Sequence, residues 1–133
     1  MFSRHSIPIV ITALALSACG ESAREKFVGD ADAVCERVNR EFGERIEDPD
    51  ALVRMYPVVR KAQADLNAIE APTEDKGQFA RYVKVNQARI DLLAAALKDP
   101  VADVYSDPRM KRAEALQARS TKIARELGFE HCS

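Results

Sequence analysis

From Asp30 onward the chain carries four stripes of apolar residues at helical spacing, separated by short segments that contain proline and aspartate. The spacing predicts a first helix from an N-cap at Asp30 to about Glu47. Its apolar face consists of Val34, Cys35, Val38, Phe42 and Ile46. Asp50 is the predicted N-cap of a second helix, whose apolar positions alternate three and four residues apart. These positions are Leu52, Met55, Val59, Ala62, Leu66 and Ile69.

Pro57 interrupts the second stripe. A proline inside a helix removes one backbone hydrogen bond, so it either kinks the helix or separates a short preliminary turn from the helix proper. Because the apolar spacing continues on both sides of Pro57, we favour the kink.

Capping residues bound the third and fourth stripes. Thr73 is the predicted N-cap of a third helix that runs to about Lys98. Asp107 followed by Pro108 predicts the start of the fourth helix, since proline is favoured at the first helical position, and Gly128 predicts its end. The third stripe is Phe79, Val83, Asn86, Ile90, Leu93 and Leu97, and the fourth is Met110, Ala113, Leu116, Ser120, Ile123 and Leu127.

A different pattern precedes the stripes. Ile7 to Leu16 is apolar throughout apart from Thr12, and the short head before it carries Arg4 and no acidic residue. A basic head, a short apolar run and small residues at its end are typical of a secretory signal peptide, and the run is too short for a membrane-spanning helix. We therefore expect residues 1–18 to be removed on export.

The end of this run is more specific than a general export signal requires. Leu16-Ser17-Ala18-Cys19 resembles the lipobox of bacterial lipoproteins, in which leucine and two small residues precede an obligatory cysteine. The resemblance implies that Cys19 becomes the acylated N-terminus. The residues that follow have mixed charges and few apolar side chains, so we interpret residues 19–29 as a short tether in which Phe27 and Val28 could still pack back onto the domain. It also implies an anchor in the cell membrane or outer membrane, with the domain on the extracytoplasmic side. The alternative is an ordinary signal peptide with a cysteine near its cleavage site.

Four helices joined by short connections predict an all-α fold, an up-and-down four-helix bundle over residues 30–133. An exported chain whose Cys19 carries lipid has two further cysteines to pair, Cys35 and Cys132. An even number of antiparallel helices brings Cys132, just beyond the fourth helix, to the end where Cys35 lies in the first turns of the first. We therefore predict that a Cys35–Cys132 disulfide closes the bundle.

Composition agrees with a globular domain and argues against one class of partner. Charged residues make up 31% of the chain, hydrophobic residues 47%, and the formal net charge is −1. Because a nucleic-acid-binding domain is normally distinctly basic, we expect no nucleic-acid partner. The sequence does not indicate the oligomeric state.

Asn86 occupies a position in the third stripe where leucine or isoleucine is expected. An inward asparagine can fix helix register or line a small polar pocket, and Asn39 is a candidate partner for it. The simpler interpretation, which we prefer at this point, is that Asn86 lies at the edge of a broad stripe and reaches solvent.

The fourth helix has a basic face made of Arg112, Arg119 and Lys122, which are separated by seven and three residues. Close to a membrane such a face could contact anionic headgroups or an acidic partner. Most runs of this kind are solvated surface, and we prefer that interpretation.

The sequence offers no recognisable arrangement for catalysis, metal binding or haem. His131 is the one histidine left after signal removal, and a metal site on it and Cys132 would lack further ligands. The Cys-x-x-Cys, Cys-x-x-Cys-His and Glu-x-x-His motifs are absent. We therefore expect no catalytic residue, no metal and no cofactor.

Two classes of function remain. The first, which we prefer from the sequence, is a non-enzymatic envelope protein that binds another envelope protein or component through a helix face. The second is a small-ligand carrier with a pocket between helices near Asn86. An exposed apolar patch favours the first class, and an enclosed apolar cavity lined by Asn86 favours the second.

Overall fold

The computed structural model describes residues 21–43, 50–99 and 106–133, and these residues form four α-helices and no β-strand. The helices are α1 (Ala23–Phe42), α2 (Ala51–Asn67), α3 (Lys76–Lys98) and α4 (Pro108–Leu127). Each helix packs against the next in chain order. The predicted up-and-down four-helix bundle, closed by one disulfide, is confirmed.

The predicted signal peptide and Cys19 lie outside the described residues, as does the predicted last turn of the first helix near Glu47. None of the helices in the described ranges is both long enough and apolar enough to cross a membrane.

The first helix begins about two turns before the predicted N-cap at Asp30, so the prediction of a tether is wrong for residues 23–29. The Ser22 hydroxyl accepts a hydrogen bond from the Glu25 amide at 3.1 Å, and the Glu25 carboxylate accepts one from the Ser22 amide at 3.1 Å. This reciprocal capping box satisfies two amides at the start of α1. The earlier start also buries Phe27, which is only 1% exposed and extends the apolar face backward.

The second helix continues through Pro57 and is not split by it. The proline ring is exposed, so the backbone bond that it removes lies on the outer side of α2. Because the chain does not reverse at Pro57, the count of four helices stands.

The third helix begins at Lys76, later than the predicted cap at Thr73 suggests, and it ends at Lys98 as predicted. Asp75 precedes it, with a buried carboxylate that accepts hydrogen bonds from Arg24 Nη1 at 2.8 and 2.6 Å. Asp75 therefore ties the start of α3 to the start of α1.

The fourth helix begins and ends as predicted. Asp107 Oδ1 accepts a hydrogen bond from the Arg109 amide at 2.9 Å, and Pro108 occupies the first helical position. Gly128 follows the helix with a φ of 84°, a left-handed conformation that glycine adopts without steric penalty.

Aromatic side chains fill the core at the end of the bundle where α1 begins and α4 ends. Phe27, Phe79, Tyr82 and Phe129 pack with ring centroids between 5.0 and 6.3 Å apart. The left-handed turn at Gly128 brings Phe129 back onto α4, and the Phe129 amide donates to the Ala124 carbonyl at 2.9 Å. The rings come from α1, α3 and the C-terminal tail, and the core around them also contains buried side chains of α2 and α4.

The tail after Phe129 runs back along α1. The Asp32 carboxylate accepts hydrogen bonds from the amides of Glu130, at 3.1 Å, and His131, at 2.8 Å. Cys132 then forms the disulfide with Cys35, with 5.1 Å between their Cα atoms. Cys35 lies in the middle of α1 and not in its first turns as predicted, because the helix starts earlier, and the returning tail reaches it there.

Candidate functional site

A cleft of about 360 Å³ lies between the four helices and the C-terminal tail. Its lining is mainly apolar, and many of the apolar side chains are only half-buried. These half-buried residues include Val38 on α1, Leu52, Met55 and Val59 on α2, Leu93 on α3, and Met110 on α4. The four helices therefore leave an apolar space between them that their own side chains do not fill.

Asn86 lines this cleft and is only 9% exposed, so the interpretation that it reaches solvent is wrong. Its Oδ1 atom accepts a hydrogen bond from the Ser120 hydroxyl at 2.9 Å and one from Arg89 Nη1 at 3.0 Å. The bond from Ser120 links α4 to α3 inside the bundle, whereas the bond from Arg89 lies within α3. Asn86, Ser120, Arg89 and the neighbouring Tyr82 are called the polar cluster below.

Tyr82 connects the polar cluster to the disulfide. Burial raises the pKa of its hydroxyl, and hydrogen bonds with Asn86 and Ser120 partly oppose that rise. The hydroxyl lies 3.7 Å from Cys35 Sγ and is the donor in this contact, since a disulfide sulfur carries no hydrogen. Tyr82 is therefore a neutral donor in the wall of the cleft at physiological pH.

Arg89 brings a positive charge to the same wall. Burial lowers its pKa, because a charged guanidinium loses hydration there. No carboxylate of the described residues forms an ion pair with Arg89, and its buried Nε–H has no acceptor among them. The guanidinium therefore keeps unused hydrogen-bonding capacity beside the cleft.

Gln63 on α2 is a second side chain with an unused polar atom. It is 5% exposed and lines the cleft, and its Nε2 donates to the Val83 carbonyl at 2.9 Å. Its Oε1 is buried and receives no hydrogen bond from the residues that the structure describes. Neither Gln63 nor Arg89 occupies a position in the apolar stripes of the sequence.

The predicted partnership of Asn39 with Asn86 is wrong. Asn39 is exposed at the rim of the cleft, where its Nδ2 donates to the His131 carbonyl at 2.8 Å. Asn86 instead accepts a hydrogen bond from Ser120, which belongs to the fourth stripe. Two polar residues in facing apolar stripes were the signal that could have suggested this pair.

Arg112, Arg119 and Lys122 are all exposed on the outer side of α4, away from the cleft. None of the three forms an ion pair within the described ranges of the chain. Their arrangement is that of a solvated basic surface.

Comparison with known proteins adds no relative. The chain matches no protein-family model, no curated protein and no solved structure. In the part of the chain that the structure describes, no three His, Cys, Asp or Glu side chains come together as metal ligands. The functional argument therefore rests on the cleft and its residues.

Proposed function

We propose that the protein is an exported, lipid-anchored binding protein that holds a small, mainly apolar ligand in the cleft between its helices. The cleft itself is the observation that carries this proposal. Its volume of about 360 Å³ falls in the range of small-molecule sites, which combine an apolar lining with a few fixed polar groups. The polar cluster supplies such groups. The proposal assigns the protein no catalytic activity.

The half-buried apolar lining makes the binding of an apolar ligand energetically favourable. Burying apolar surface is favourable by roughly 25 cal/mol for each Å² removed from water. A ligand that covers the exposed parts of Leu52, Met55 and Leu93 would gain this contribution on both its own surface and theirs. The Asn86–Ser120 bond fixes α3 against α4 beside the site, which reduces the reorganisation that binding requires.

The other function class, an interaction module that uses a helix face, has less support. Val53, at 59%, is the one exposed large apolar side chain among the described residues, and a single such side chain is ordinary for a soluble surface.

Titration calorimetry with octanol tests the ligand-binding proposal, because octanol is small, apolar and uncharged. We use the full chain with Cys19→Ser, which cannot be acylated at that position. The proposal predicts saturable binding that is lost in Ala113→Phe, which adds bulk at a position lining the cleft. Ala118→Phe is the matched control, since Ala118 is exposed on the same helix. Failure of both octanol and its carboxylate counterpart octanoate to bind saturably, or equal binding by a folded Ala113→Phe variant, would contradict the proposal.

The lipid anchor has its own support and its own test. The support is the motif Leu16-Ser17-Ala18-Cys19, which resembles a lipobox. Intact mass of the protein extracted from membranes should correspond to a chain that begins at Cys19 and carries acyl groups. A mass without acyl groups would refute the anchor and leave the ligand-binding proposal unaffected.

A further inference from the structure

We infer that the ligand of the cleft is an anionic amphiphile, whose apolar chain fills the cleft and whose carboxylate head binds Arg89. This inference rests on the proposed ligand-binding function and adds the chemical class of the ligand.

Arg89 carries a positive charge that is partly withdrawn from water. A guanidinium that is withdrawn from water is costly unless an anion or several hydrogen-bond acceptors replace its hydration. Within the described ranges Arg89 has one acceptor, Asn86 Oδ1 at 3.0 Å, and no carboxylate. A ligand that brings a negative charge to this point would supply the missing partner.

Hydrogen bonds within the polar cluster fix the position of the Arg89 guanidinium. Its Nη1 is held by Asn86, and Asn86 is held in turn by the Ser120 hydroxyl at 2.9 Å. The Nε–H is buried without an acceptor among the described residues and has almost no surface open to a ligand, so a carboxylate would bind the guanidinium through its Nη1 and Nη2 groups. A carboxylate can accept two parallel hydrogen bonds from one guanidinium, an arrangement stronger and more specific than a single neutral bond. The polar cluster therefore holds Arg89 in position for a planar anionic head.

The surroundings of Arg89 in the cleft are mainly apolar. The cleft beside it is lined by apolar side chains from every helix, among them Val59, Leu93 and Met110. A small inorganic anion would leave this lining uncovered, and an uncharged alkane would leave Arg89 unpaired. A single molecule with an apolar chain and an anionic head satisfies both parts of the site.

The experiment compares three probes that share one chain and differ in the head: octanoate, octanol and octylammonium. Their affinities for the full chain with Cys19→Ser are measured by titration calorimetry at neutral pH, where octanoate is ionised. We expect octanoate to bind about tenfold or more tightly than octanol, and octylammonium to bind more weakly than either. Octanol binding equal to or tighter than octanoate binding overturns the inference, whereas failure of all three probes overturns the proposed function itself.

Variants then assign the preference to Arg89. Arg89→Met removes the charge and keeps an apolar stem, and we expect it to abolish the preference for octanoate while octanol still binds. Arg89→Lys keeps the charge without the planar pair of donors, and we expect an intermediate preference. Arg81→Met is the matched control, because Arg81 is an exposed arginine on the same helix, and it should behave as the parent chain does.

Two outcomes of the variant series overturn the assignment. One is an octanoate preference that survives in Arg89→Met. The other is an equal loss of preference in Arg81→Met, which would show a general effect of net charge. Far-UV circular dichroism of each variant verifies that its helices are intact.

Discussion

Replacing Phe27 with alanine tests whether the start of α1 belongs to the folded domain. Phe27 lies in the segment whose sequence suggests a tether, yet its side chain is 1% exposed. Its ring packs with the rings of Phe79 and Phe129, with centroid distances of 5.0 and 5.4 Å. If this packing is correct, Phe27→Ala removes a ring from the centre of the aromatic core.

The expected loss follows from the burial of Phe27. Truncating a buried phenylalanine to alanine costs about 3 to 5 kcal/mol, since it removes apolar contact and leaves a cavity. The two edge-to-face ring contacts favour the upper half of that range. With a urea m-value of about 2 kcal/mol per M, a loss of 4 kcal/mol lowers the midpoint of unfolding by about 2 M.

The assay is urea unfolding of the full chain followed by far-UV circular dichroism. Val53→Ala is the control, because Val53 is 59% exposed and its truncation should change the free energy of unfolding by less than about 0.5 kcal/mol. A loss of less than about 1 kcal/mol in the free energy of unfolding for Phe27→Ala would refute the packing of residues 23–29 in the domain and would favour the tether interpretation.

Three further predictions concern the closure of the bundle, the end of α4 and the effect of acid. Cys35→Ala combined with Cys132→Ala should lower the free energy of unfolding by up to about 4.7 kcal/mol in urea titrations, because the disulfide closes a loop of 97 residues; an unchanged midpoint would contradict this. Gly128→Ala should lower the thermal midpoint of unfolding, since the backbone at Gly128 has a φ of 84°, which is strained for a residue with a Cβ atom. Gly77→Ala is the control and should not lower the midpoint, because there is open space around the new methyl group. Equal effects of the two substitutions would be inconsistent with the left-handed turn. The pKa of Asp107 is held below its ordinary value of 3.8, chiefly by the hydrogen bond from the Arg109 side chain. The ionised carboxylate of Asp107 therefore stabilises the fold at pH values above 3.8, and this stabilisation is lost as the pH falls through the lowered pKa. Urea titrations at falling pH should therefore show a shallower acid loss for Asp107→Asn than for the parent chain, and parallel curves would refute this contribution.

Sequence periodicity predicts the four helices because each helix buries one face, and that face recurs at three and four residues. It predicts the start of α1 poorly, since aspartate is common both at N-caps and on exposed helix surfaces. Asp30 is on the surface, where it accepts from Lys26 one turn earlier. The better signal was Ser22 followed three residues later by Glu25, the pattern of a capping box, just before the buried Phe27.

The candidate site is only partly predictable for a related reason. Asn86 stands out because it is polar within an apolar stripe, but its bond to Ser120 depends on the relative height and rotation of α3 and α4, which periodicity does not specify. Gln63 and Arg89 lie beside stripe positions and have the same sequence signature as exposed residues. Gln63 is buried and Arg89 is half-buried because neighbouring helices cover them, so only the packed bundle reveals their place in the site.

The most direct test of the account is a nuclear magnetic resonance titration of the isotopically labelled full chain, with Cys19→Ser, against octanoate. The account predicts saturable changes in amide chemical shift at residues that line the cleft, above all Asn86 and Ser120. It would be contradicted by the absence of saturable changes, or by changes confined to the outer face of α4 at Arg112, Arg119 and Lys122.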